Sequence, residues 1–221
     1  MKAEQAIFTS LPRHGRGGYH LVSRSRGVAA GDAQALARWA PSHGSLIVDE
    51  KNRTSVNFHP LPSGRYALSR TCAGPPEYSG RGGAQLYTHF LIVDDATLEA
   101  VRFQPFLIYR DAAALGYFTY QPNPGEILEP VALSQLHPPR DAAYWANQAV
   151  HLRLPPATSL HKQLQANHPL QFAYSGDRIA LAECWIGQLS PEAVRSTSFS
   201  TSLIPSSDRP FVLTLVQDKT K

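Results

Sequence analysis

Cysteine is almost absent from this chain. Cys72 and Cys184 are the only two in 221 residues, too few for a disulfide framework and lacking the Cys-x-x-Cys spacing of a metal or redox site. Two reduced thiols suit a cytosolic protein. No stretch approaches the ~18 consecutive apolar residues of a membrane span. The opening Met-Lys-Ala-Glu-Gln-Ala-Ile-Phe-Thr-Ser lacks the apolar core of a signal peptide. The chain is therefore read as cytoplasmic, with no membrane partner. Positive charge is sparse as well: the net charge of +4 is dispersed and forms no basic block, which argues against nucleic acid as the main partner. No repeat of about 20 to 50 residues is present, which excludes a solenoid. Also missing are a Walker loop, a Rossmann fingerprint, His-Glu-x-x-His and the Gly-x-Ser-x-Gly elbow. Motifs thus supply no cofactor, no metal site and no catalytic residues, and the reading inclines away from an enzyme.

What is present is a globular composition, 43% hydrophobic, punctuated by 18 prolines and 15 glycines. So many turns disfavour a long helical bundle. Strand-like runs are expected over Gln5 to Ser10, Tyr19 to Ser25, Leu46 to Val48, Ser55 to His59, Arg65 to Cys72 and Gln85 to Val93, the first two forming a hairpin or near-hairpin. Asp32 is expected to cap a helix reaching Ala40, and Trp39 to lie in the core. Asp94 and Asp95 should cap a helix over Ala96 to Arg102 that stops at Gln104-Pro105. Residues 103–136 are hard to read. Beyond them, helices are expected at Ala142 to Val150, from Thr158 or Ser159 to about Ala166, at Arg178 to Leu189 (a strand being the alternative), and after Ser190-Pro191. Gln171 to Tyr174, Phe199 to Thr201 and Pro210 to Gln217 read as strands, the last apolar on both faces and so interior. The fold expected is α+β, a mainly antiparallel sheet, open or barrel-like, with several packed helices. It is read as a single domain over residues 1–221, or two subdomains switching near 103–136.

The most informative stretch runs from Pro75 to Asp94, a glycine-rich loop entering an apolar strand. On a two-residue period Leu86, Thr88, Phe90 and Ile92 share one face, and Tyr87, His89, Leu91 and Val93 the other. Gly-Arg-Gly-Gly occurs twice, at Gly15 to Gly18 and Gly80 to Gly83, each time just before a strand. Successive glycine amides can form an anion nest, and a neighbouring arginine can add a bidentate contact. The candidate ligand residues are therefore Arg16, Gly17, Gly18, Tyr78, Arg81, Gly82, Gly83 and His89, for a small anionic ligand such as a phosphate ester or nucleotide. The plainer alternative is a pair of ordinary turns and a structural histidine. A further alternative is a single-strand nucleic-acid binder stacking bases on Tyr19, Tyr78 or Tyr87.

Several segments together resemble the N-terminal region of the GTPase-associated proteins of bacterial conflict systems. They are Gln5-Ala6-Ile7-Phe8 with Gly17-Gly18-Tyr19-His20-Leu21 and Ser25-Arg26-Gly27; Tyr78-Ser79-Gly80-Arg81-Gly82 with Thr88-His89; and Leu189-Ser190-Pro191 leading to Ser198-Phe199-Ser200-Thr201. The resemblance implies a non-enzymatic adaptor whose partner is another protein chain, a GTPase, because this sequence carries no Walker-type loop.

Overall fold

The computed structural model describes residues 1–12, 17–77, 82–165 and 168–218. Its organising element is a mixed sheet. Strand β1 (Lys2–Ser10) turns into β2 (Tyr19–Ser25), and helix α1 (Ala30–Trp39) follows. A meander of β3 (Thr54–Pro60), β4 (Tyr66–Pro76) and β5 (Ala84–Val93) leads to α2 (Asp95–Ala100) and α3 (Pro105–Ala114). The short strands β6 (Ile127–Leu128) and β7 (Val131–Ala132) precede α4 (Ala142–His151), α5 (Thr158–Gln165) and β8 (Leu170–Ala173). The chain continues through α6 (Arg178–Ile186), α7 (Pro191–Ser196), β9 (Phe199–Ser200) and β10 (Leu213–Val216). The strand order is β6-β2-β1-β5-β4-β3-β9-β10-β8, with β7 on β1, an α+β arrangement that is antiparallel through its centre.

The alternation in β5 sorts the core. Phe90 and Ile92 pack with Ala6, Phe8, Ala67 and the Leu36 face of α1 on one side. Leu91 and Val93 join Val56, Phe58, Leu68 and residues of α2, α3, α6 and α7 on the other. Burial of each large apolar side chain contributes about 1.5–3 kcal/mol, so both faces of the central strands are held by their helical covers.

Two expectations are corrected, and two features lie beyond what was expected. Asp32 does not cap α1; Ala29 occupies that position without a side-chain bond. Asp32 is instead buried in the first turn, where it accepts from Ser63 N, Ser63 Oγ and Arg65 Nη2 at 3.0, 2.7 and 2.9 Å. Leu46 to Val48 is not a strand: only one bridge, Leu46 to Leu203, forms there. In the hard stretch 103–136, Pro105 starts a helix, at a position where its missing N–H costs nothing. Finally, β8, β9 and β10 pair in parallel. The helices α6 and α7 between β8 and β9 supply the long crossover that parallel strands need. Asp94, Asp141 and Ser190 cap α2, α4 and α7 through bonds to Thr97 N, Tyr144 N and Ala193 N, as their spacing predicts.

Candidate functional site

The two Gly-Arg-Gly-Gly loops spring from adjacent hairpins. β1 pairs with both β2 and β5, so Ser10 lies opposite Tyr19 while Thr9 lies opposite Tyr87. The end of β1 and the start of β5 are thereby side by side, and side chains stitch them. Thr9 Oγ1 donates to Leu86 O at 2.8 Å and accepts from Gln85 Nε2 at 2.9 Å. The Tyr19 hydroxyl accepts from Leu86 N at 2.9 Å.

Glu77 is the knot of this arrangement. It is buried at the end of β4, and its carboxylate accepts from Ser10 Oγ at 2.8 Å and from the Tyr19 hydroxyl at 3.0 Å. Its own N–H donates to Gly83 O at 3.0 Å, closing the β4–β5 hairpin. One acidic residue thus ties together the roots of both loops. Gly18, Gly82 and Gly83 have φ of +79°, +76° and +75°, the left-handed region where a side chain is strained. A Cβ on Gly83 would also stand 3.2 Å from His43 Cε1, which brings the segment after α1 to the same place.

Among the sequence-predicted residues, Gly17, Gly82 and Gly83 are exposed and Gly18 is half-buried at these roots. Arg16, Tyr78 and Arg81 lie outside the described residues. The structure does not bring His89 to them: it lies six positions along the strand from Gly83, roughly 20 Å at the usual rise. His89 is 1% exposed, with its Nε2 2.9 Å from Gln5 Oε1. Gln5 Nε2 donates to Glu129 O, so its carbonyl oxygen faces the ring and the imidazole proton sits on Nε2. The ring lies edge-on to Phe118 and Tyr87. Burial lowers its pKa to about 4. The Tyr117 backbone gives the protonated ring some support without meeting Nδ1 in hydrogen-bond geometry. A neutral, enclosed imidazole of this kind is a packing element, remote from the loops.

The base-stacking alternative loses two of its three rings. Tyr87 is 1% exposed within the cluster of Ile7, Val22 and Cys72. Tyr19 stacks on Phe8, with its hydroxyl already engaged. Sequence reasoning missed Glu77, Ser10 and His43. The available signal was a lone carboxylate ending a strand immediately before the arginine loop. Among the described residues no cluster of three potential metal ligands occurs, and no helix is long and apolar enough to cross a membrane.

Comparison with curated proteins and with solved structures found no match. The family model described as GTPase-associated protein 1, N-terminal domain type 2, matches residues 2–133, which is β1 through β7 with α1, α2 and α3 and includes both loop roots. The chain therefore belongs to this GTPase-associated protein family.

Proposed function

We propose that the chain is a non-enzymatic interaction module acting beside a GTPase supplied by another chain, within a bacterial multi-protein conflict system. The observation that carries this reading is the family match across more than half of the chain. That the sequence holds no phosphate-binding Walker loop supports a reading in which the nucleotide chemistry belongs to the partner. Affinity purification from the native host, with GDP or a non-hydrolysable GTP analogue present, tests it. Enrichment of a GTPase that depends on the nucleotide supports the proposal. Recovery of the chain without any GTPase in either state would remove its basis.

A second reading is favoured by one observation, the side-by-side roots of the two arginine loops. In it the loops grip a phosphorylated or nucleotide ligand between their amides and guanidinium groups, and Glu77 positions the loops without touching the ligand. Charged hydrogen bonds of this type contribute roughly 1.5–3 kcal/mol each. Arg16→Ala or Arg81→Ala should then weaken binding about ten-fold or more with melting unchanged. Calorimetry against nucleotides and sugar phosphates distinguishes the readings, because a wild-type protein that binds none of them leaves only the protein partner.

A further inference from the structure

Beyond residues 2–133 lies a surface that the GTPase reading does not use. An open groove of about 600 Å³ runs between α4 and α5, within the size range of ligand clefts. Its floor includes Ala149, Leu154 and Ala157, and its rim Val150, Arg153 and His161. Val150 is 78% exposed. The lining of the groove is one-sided in charge, holding Arg153 and His161 and no aspartate or glutamate. Residues 142–170 contain no aspartate or glutamate, yet they carry Arg153, Lys162, His151, His161 and His168. Arg153 has no ion-pair partner among the described residues.

The end of α4 places Arg153 at the rim. It stands just past the end of α4 at φ +53°, where the chain turns back through Leu154 N to Ala149 O at 2.8 Å. Glycine is the residue that this helix-ending turn favours, since an L side chain there is strained.

The geometry points to a docking site for an acidic, leucine-bearing amphipathic helix of a partner protein, its apolar side chains on the Ala149–Leu154–Ala157 floor and its carboxylates facing Arg153. Concavity fits a helix laid in a groove rather than a lipid surface. A second copy docked groove to groove would set Arg153 against its own counterpart.

The test uses the whole protein and two synthetic peptides of about five turns, alike in their leucine face, one bearing glutamates elsewhere and the other lysines. Fluorescence anisotropy should show micromolar binding of the glutamate peptide and at least about ten-fold weaker binding of the lysine peptide. Val150→Asp should weaken the glutamate peptide about ten-fold or more. Arg153→Gly should weaken it about three-fold or more while leaving Tm unchanged or higher, because glycine relaxes the left-handed turn and lost affinity cannot then be blamed on unfolding. The proposal is overturned if the glutamate peptide fails to bind, if both peptides bind alike, or if neither substitution weakens binding. It is equally overturned if Val150→Asp instead dissolves a self-association seen by sedimentation, or releases the protein from anionic phospholipid vesicles.

Discussion

Arg178 Nη1 donates to Asp49 Oδ2 at 2.7 Å, across 129 residues of sequence. The arginine is wholly buried, and its remaining donors are spent on backbone and hydroxyl oxygens: Nε on Thr201 O and Ser202 Oγ, both at 3.0 Å, and Nη2 on Ile47 O at 3.3 Å. Its N–H donates to Asn52 Oδ1 at 2.9 Å. One side chain at the start of α6 therefore pins the segment after α1 and the residues after β9. Burial opposes the charge on Asp49, but hydrogen bonds from Asn52 and Arg178 outweigh it and hold the carboxyl below its ordinary range.

Arg178→Met should cost about 3 kcal/mol, because it leaves the Ile47 and Thr201 carbonyls without their donor and removes one of the bonds that hold Asp49. Arg178→Lys should recover little of that, since an ammonium lacks the fork that reaches three acceptors in different directions. Urea unfolding measures both. A methionine variant within about 1 kcal/mol of wild type would remove Arg178 from this role.

Acid should destabilise the protein in a defined window. His59 and His89 are both buried, and that burial holds each pKa at about 4 in the fold against 6.5 in the unfolded chain. Below pH 6.5 the unfolded chain therefore binds protons that the native state refuses. Stability is full above pH 6.5, falls as the pH drops, and levels off for these groups below about 4. The loss is on the order of 3 kcal/mol per histidine at most. His89→Gln should flatten part of this slope in chemical denaturation series between pH 7.5 and 4. A stability that is level across that range would refute the assignment.

Gly187, following α6, is packed against α4. A Cβ there would lie 2.3 Å from Trp145 Cδ1, within the indole ring, and Trp145 is itself buried. Gly187→Ala should cost about 2 kcal/mol or more by forcing α4 away from α6. Thermal melting checks it. If Trp145 fluorescence and Tm both stay at wild-type values, the α4–α6 contact is looser than described.

The strands were largely legible because their signal is local. Tyr19–Ser25 was read with the observed bounds, and the two faces of Gln85 to Val93 sort into separate cores as the two-residue period implies. Helix α3 is hard to see because Pro105 signals a stop as readily as a start. The parallel trio escaped because strand direction depends on connections through α6 and α7, which no period encodes. At the loops, repetition of Gly-Arg-Gly-Gly pointed to a shared place, and the register of β1 against β5 brings the two roots together. His89 was grouped with them by nearness in sequence, whereas an extended strand carries neighbours apart. Glu77 and Arg178 were invisible for the opposite reason, since their partners are distant in sequence and a single buried charge leaves no pattern.

The pairing of Asn57 with Ser200 and Phe58 with Phe199 sets a schedule for synthesis. Strands β1 to β5 can assemble once residue 93 has emerged, since all their mutual partners lie within that span. The outer edge of β3 must then wait for more than a hundred further residues, on the order of ten seconds at ribosomal speeds. During that interval Val56 and Phe58 lie beside unpaired backbone, the situation in which nascent chains join edge to edge. Slow translation between α3 and β9 would lengthen that exposure, and a chaperone that shields the β3 edge would raise the yield of folded protein.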